Sequence, residues 1–426
     1  MKQSTLFLLG WLLLLATLQG QSLESCLASR QDIRLEKLSS SARWPERYLL
    51  YFSQPLDTED PALGTYPQRV MVYISSPEKP VVFVTEGYAA DYALRPQYAH
   101  ELSDLLDANQ VVVEHRFFAP SVPEGDTIPW QFLTAENAAA DHHRIITALK
   151  SCFQGKWIST GISKGGQATM FHRALYPDDV DASLTYVAPL NFSVEDLRVY
   201  DFLDQVGEEE CRNKVRRFQE MMLRNKPLLL PHFEKVAQGK KLEYTMGMEA
   251  AYELIVLEYA FAFWQWGNWP CEAIPTDTSQ PRQLIRHLDD IAGLDWVAKS
   301  FVENHPFFYQ ALTQIGMYGY RLEDFGALIT ALDKGTFHFA CPPGIRCHFD
   351  PSLMQEVDSF LRHRAERFML LYGEWDPWSA TAVQWSGNPG LKVLYKPRGS
   401  HQTRLRHLPE QELKEVLDTL KSWLEE

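Results

Sequence analysis

The chain has 426 residues, of which 45% are hydrophobic and 12% aromatic, and it carries a formal net charge of -14. That composition excludes a disordered or low-complexity chain and provides for a large core, in one big domain or two. So acidic a balance excludes nucleic acid as a partner, because such binding rests on basic surface.

In chain order, Lys2 followed by the apolar run Leu6 to Leu18 and by Gln19-Gly20-Gln21-Ser22 reads as an export signal over residues 1–20. The run is short for a membrane span, so the expectation is cleavage and a secreted product, extracellular or periplasmic, with no membrane association afterwards. Lipid attachment at Cys26 fits poorly, since Glu24 is charged and polar residues separate it from the apolar run. Cys26, Cys152, Cys211, Cys271, Cys341 and Cys347 remain after export, an even set that fits disulfides in an oxidising compartment. Only Cys341 with Cys347 stands out, because Pro342-Pro343-Gly344 turns the chain back between them. No close C-x-x-C pair is present, so no zinc site is expected.

Arg47–Phe52 and Arg69–Ile74 are strand-like runs separated by a Pro- and Gly-bearing turn region, which reads as an early antiparallel pair. Lys79–Val84 is a continuous apolar run, the mark of a strand covered on both faces, and Gln110–Phe118 reads as another buried strand with polar residues at its C-terminal end. The spacing predicts a helix over Tyr98–Ala108 between them, hence a parallel sheet with right-handed crossovers. Thr134 caps a second helix, whose apolar face is Ala138, Ile145 and Leu149.

Trp157-Ile158 then leads into Gly161-Ile162-Ser163-Lys164-Gly165-Gly166, with a helix-like stretch directly after it. This is the strand, tight turn and helix order of a G-x-S-x-G nucleophile elbow. Gly161 and Gly165 suit it, because the strand and helix backbones approach too closely for a side chain. Ala182–Pro189 is a further buried strand. From about Leu190 to Asp350 strand patterns disappear and helices are predicted over Glu208–Asn225, Gly247–Trp264 and Phe301–Gly316. The aromatic-rich stretch Tyr259–Trp269 either packs a helical subdomain or lines a pocket. Strands resume at Arg367–Gly373 and Leu391–Tyr395, and Glu410–Glu425 is an amphipathic final helix. There is no internal repeat.

Asp376 lies just past one of these late strands and His401 just past the other. A serine hydroxyl needs a neutral imidazole to take its proton, and a carboxylate to fix that imidazole's tautomer. Ser163, Asp376 and His401 follow the chain order of the α/β-hydrolases, and ligands in open α/β sheets sit at the strand ends these residues occupy. The expected fold is an α/β-hydrolase with a helical cap inserted between the half bearing the elbow and the half bearing Asp and His. Its expected divisions are a signal over 1–20, core over 45–190, cap over 191–350 and core again over 351–426.

Five motifs carry a family resemblance: Gly161–Gly166, Glu114-His115-Arg116-Phe117-Phe118, Phe132–Asp141, Tyr372–Trp378 and Gly399-Ser400-His401. From about Tyr48 to the C-terminus the chain resembles the secreted PS-10 type serine peptidases, family S37, relatives of the prolylcarboxypeptidase and dipeptidyl-peptidase II group. That wider group has Tyr where Lys164 stands and Ala where Ser400 stands, so the PS-10 branch is the closer match. The resemblance implies a tripeptidyl aminopeptidase acting on peptides with a free N-terminus, often after proline, and no metal or organic cofactor.

With that chemistry, the Lys164 backbone N–H and one from Gly87 or Tyr88 are the candidate oxyanion donors. Glu86 is the candidate partner of the substrate ammonium, against a plainer role in pairing with Arg116 or capping a turn. Trp375 and Trp378 flank the aspartate and are candidates for a flat pocket that suits a proline ring, against plain packing, and Glu114, His115 and Arg116 are read as braces of the loops. An esterase or lipase on the same fold, and a non-catalytic binding protein, stay open as alternatives. The oligomeric state, the pH optimum and the product length are not legible.

Overall fold

Val81 to Thr85 are all buried, and their side chains alternate between two apolar layers. Val81 and Phe83 pack with Ile145, Ile146 and Leu149 on one face, while Val82 and Val84 pack with Leu102, Leu184 and Leu420 on the other. A strand covered on both faces must sit inside a sheet, and the period of two decides which residue meets which layer. The computed structural model describes residues 22–125, 127–303 and 305–425. The export signal read over residues 1–20 lies outside the described residues.

One nine-stranded sheet organises the chain, built from β1 (Ile33–Lys37), β2 (Glu46–Pro55), β3 (Thr65–Ile74), β4 (Val81–Thr85), β5 (Asn109–Val113), β6 (Trp157–Ile162), β7 (Ala182–Tyr186), β8 (Phe368–Gly373) and β9 (Leu391–Lys396). The spatial order is β1-β2-β3-β5-β4-β6-β7-β8-β9. Pairing is antiparallel from β1 to β5 and parallel from β5 to β9. The β2–β3 pair matches the expected antiparallel start. β1 escapes the sequence reading because it is a sheet-edge strand whose residues are all partly or fully exposed, so Ile-Arg-Leu-Glu-Lys reads as polar.

Between β7 and β8 the described residues form helices and turns and no strand. The expected helices appear at Glu209–Arg224 and Met248–Trp266. Lys226–Gly239 and Pro281–Ala292 are additional ones. The single helix expected over Phe301–Gly316 is instead Pro306–Gln310 followed by a π turn, Ala311–Ile315. Pro306 cannot continue a preceding helix and so starts a new one. The helix expected over Tyr98–Ala108 shrinks to Glu101–Leu105. Met248–Trp266 is buried without a break from Ala250 to Tyr259, as befits a helix that is apolar nearly all round. With the parallel half-sheet, the strand-end turn at Ser163 and the helical insertion between β7 and β8, the architecture is an α/β-hydrolase fold with a helical cap.

All six cysteines are paired: Cys26–Cys152, Cys211–Cys271 and Cys341–Cys347. Cys26 therefore has no thiol to carry a lipid. No described helix is long and apolar enough to cross a membrane, and no cluster of metal-ligating side chains occurs among the described residues.

The loops at the strand ends are tied by buried ion pairs. Arg116 donates from Nε to Asp141 Oδ2 at 2.8 Å and from Nη2 to Oδ1 at 3.0 Å, and Tyr66 Oη donates to Asp141 Oδ2 at 2.7 Å. Arg69 grips Glu114 with two bonds of 2.9 and 2.7 Å, and Glu114 also accepts from the Ala90 N–H at 2.8 Å, pinning the loop after β4. Removing one partner strands a charge in the interior. Asp141→Ala is expected to cost about 3–5 kcal/mol of unfolding free energy, read as a lowered urea midpoint with an unchanged slope.

Candidate active site

The Lys164–Leu175 helix starts directly after β6, and Ser163 is the residue between them. Its backbone is at φ 55, ψ -123, a left-handed conformation that L-residues seldom adopt and that stores strain at a sharp strand-to-helix turn. A Cβ on Gly161 would stand 2.2 Å from Gly165 O, and one on Gly165 would stand 2.5 Å from Thr85 O. Both contacts are with backbone that cannot give way, so the elbow closes only with glycine at these two places. The Ser163 N–H donates to Tyr186 O at 2.8 Å, which ties the turn to β7.

Asp376 follows β8 and caps the short turn Pro377–Thr381, its Oδ1 accepting from the Trp378 N–H at 3.2 Å. Its other oxygen, Oδ2, lies 2.7 Å from His401 Nδ1. Asp376 is fully buried and His401 nearly so. The His401 N–H donates to Gln265 O at 2.8 Å, so the loop after β9 is held by the Met248–Trp266 helix. Ser163 and His401 line one cavity of about 740 Å³. A strained serine and an imidazole oriented by a buried carboxylate at the parallel strand ends have the parts required for acyl transfer.

Lys164, Tyr88, Glu86 and Trp378 line the same cavity. The Lys164 side chain is 3% exposed, and its ammonium donates to Gly87 O at 2.8 Å and lies over the rings of Tyr88 and Phe118. Burial pushes that ammonium well below the usual lysine range. Gly87 sits against the elbow, the position of a Cβ on it being 2.7 Å from Gly165 N. Glu86 accepts from the Tyr92 hydroxyl and is not paired with Arg116, which is taken by Asp141. Burial, with Glu114 nearby, pushes its carboxyl up to about 7.

Trp378 packs on Phe261, Tyr318 and the His401 ring. Trp375, by contrast, does not join them. It turns away against Trp264, with the Arg398 guanidinium over its ring, and does not line the cavity. The aromatic-rich stretch divides in the same way. Ala262, Gln265 and Trp266 line the cavity, while Tyr259, Phe261, Phe263 and Trp264 are buried in the core.

Two wall residues from the helical insertion were not picked out in the sequence. Glu258 is 4% exposed and accepts from Tyr318 Oη at 3.0 Å and Tyr320 Oη at 2.5 Å, and burial pushes its carboxyl up to about 8. The sequence marks it as an acid inside the apolar run Leu254-Ile255-Val256-Leu257-Glu258-Tyr259-Ala260-Phe261, which predicts a buried acid but not what it faces. His305 is held at about 4 by burial and by the nearby Lys164. No spacing rule marks it, because it enters from a loop.

The sequence profile of the PS-10 peptidase S37 family matches residues 36–417. A prolyl tri/tetrapeptidyl aminopeptidase from Streptomyces mobaraensis is 30% identical over 386 residues, covering 88% of this chain and 80% of that protein. The lysosomal Pro-X carboxypeptidase of Homo sapiens is 30% identical over 164 residues, 35% of this chain and 33% of its own. This chain is therefore a serine peptidase and belongs to the PS-10 peptidase S37 family.

Proposed function

We propose that the protein is a secreted exopeptidase that releases tripeptides, with proline before the scissile bond, from free N-termini through an acyl-enzyme. The observation that carries the catalytic part is the 2.7 Å bond from buried Asp376 to His401, which lines the same cavity as the strained Ser163. Ser163 Oγ attacks the scissile carbonyl while His401 Nε2 takes its proton, and Asp376 holds the ring and its positive charge. The oxyanion accepts from the Lys164 N–H and from Gly87 or Tyr88, and the Lys164 side chain, bonded to Gly87 O, keeps those two loops in register. As the C–N bond breaks, His401 hands its proton to the leaving amine. Water, activated by the same imidazole, then hydrolyses the ester.

Residues 191–350 act as the cap, and the core on either side of it, 45–190 and 351–426, supplies the triad. The substrate ammonium is held by uncompensated carboxylate on the cavity wall, to which Glu86 contributes. The Trp378 face is offered to the proline ring, and Trp375 supports that wall from behind rather than touching substrate. Three disulfides support export to an oxidising compartment.

A panel of p-nitroanilides tests the reading. A free-amine tripeptide ending in proline is expected to exceed its N-acetylated form about 100-fold in kcat/KM, and a fluorophosphonate is expected to label Ser163. Equal turnover of free and acetylated peptides would refute an exopeptidase. Fast ester cleavage with negligible peptide cleavage would favour the esterase alternative.

A further inference from the structure

Among the described residues, buried carboxylates have cationic partners except on the wall of the Ser163 cavity, where Glu258 and the half-buried Glu86 are held by tyrosine hydroxyls instead. Glu114 is paired with Arg69, Asp141 with Arg116, Asp196 with Arg198, Glu253 with Lys226, and Asp376 with His401. Glu258 is as buried as these, yet among the described residues only two tyrosine hydroxyls reach it, both on Oε2. The contrast with Glu253, on the same helix, is instructive: there a lysine and the N–H groups of Thr330, Ala331 and Leu332 surround the carboxylate. A buried acid is expected to find a counter-charge, and Glu258 faces the cavity that contains Ser163. The cavity's own cations are committed elsewhere. Lys164 donates to Gly87 O, and Arg404 donates to the backbone oxygens of His401 and Thr403.

Position along the helix adds a length. Gln265, whose carbonyl holds the His401 loop, comes seven residues after Glu258. At about 1.5 Å per residue this places Glu258 about 10 Å along the axis from the catalytic histidine's anchor. Extended chains of two, three and four residues span about 7, 10 and 13 Å. Glu86, the other acid on this cavity wall, follows β4 beside Gly87 and already accepts from the Tyr92 hydroxyl.

Resting on the exopeptidase reading above, we infer that Glu258 is the specificity-determining counter-charge of the substrate's α-ammonium, and that its place on the cap helix sets the released fragment at three residues. Tyr318 and Tyr320 hold its Oε2 and leave Oε1 for the ammonium.

Glu258→Gln tests this, because the amide oxygen still accepts from both tyrosines. Substrates are free-amine di-, tri- and tetrapeptide p-nitroanilides with proline last, and the N-acetylated tripeptide as reference. The expected result is a KM for the free tripeptide raised about 30-fold or more, with kcat within about threefold, collapse of the free-to-acetylated ratio, and loss of the preference for three residues. Equal loss on free and acetylated tripeptides, or an intact ratio in Glu258→Gln with collapse only in Glu86→Gln, overturns the assignment to Glu258 while leaving the exopeptidase reading intact. Absence of discrimination by the wild-type enzyme overturns both. A second measurement needs no variant: inhibition of wild-type enzyme by the tripeptide product is expected to weaken about 30-fold when the α-amine is replaced by hydrogen, and an unchanged inhibition constant overturns the inference.

Discussion

Replacing Ser163 by alanine is expected to lower kcat about a million-fold, to the limit set by contamination, and to abolish fluorophosphonate labelling. The substitution is unusually clean here. The left-handed backbone at Ser163 is strained for any residue with a Cβ, so alanine bears the same strain as serine and only the Oγ is lost. The Ser163 N–H bond to Tyr186 O and the Gln167 N–H bond to Ser163 O belong to the backbone and survive. Thermal stability is therefore expected within about 1 kcal/mol of wild type, and calorimetric binding of the free-amine tripeptide is expected to persist. Residual turnover of about a hundredth of wild type would mean that another group attacks the carbonyl.

How much was legible in the sequence depended on whether the signal was local. The elbow was legible because its constraint is steric and contained in a few residues: Gly161 and Gly165 leave no room for a Cβ, and the strand before and helix after are both strong patterns. That Asp376 and His401 would meet was legible through a general rule, that ligand sites in open α/β sheets form at the carboxyl ends of the parallel strands. Adjacency to Asp376 was the ground for offering Trp375 to the pocket, and the plain packing weighed against it is what the structure has. Adjacent residues after a strand point in different directions, and Trp264 rather than the cavity receives Trp375. Glu258 shows the opposite failure. Its partner tyrosines lie 60 and 62 residues away, and its approach to the cavity depends on how the cap helix docks on the loop carrying His401, a contact made by a backbone carbonyl. Ion pairs such as Arg116 with Asp141 were half legible: the arginine was read as a brace, but its partner is set by tertiary packing.

Asp376→Asn is expected to lower kcat about ten-thousand-fold with KM changed only a few-fold, and to be as damaging as Asp376→Ala. The geometry explains why the closer isostere is no milder. Asp376 Oδ1 accepts from the Trp378 N–H, and Oδ2 accepts from His401 Nδ1. An asparagine that keeps its oxygen on Trp378 must turn its NH2 toward Nδ1, which then has to accept. The ring proton moves to Nε2, and His401 meets Ser163 as a donor, unable to take its proton. The opposite flip restores the useful tautomer but sets the NH2 against the Trp378 N–H, donor against donor in a buried site, which costs about 1–3 kcal/mol. In either orientation the charge that would stabilise the imidazolium is gone. A purely architectural role for Asp376, as cap of the turn beginning at Pro377, predicts the reverse ranking, with asparagine nearly silent and alanine harmful by about 1 kcal/mol. Measuring kcat, KM and melting temperature for the two variants side by side separates the possibilities. Near-wild-type turnover in the asparagine variant would remove Asp376 from the catalytic apparatus.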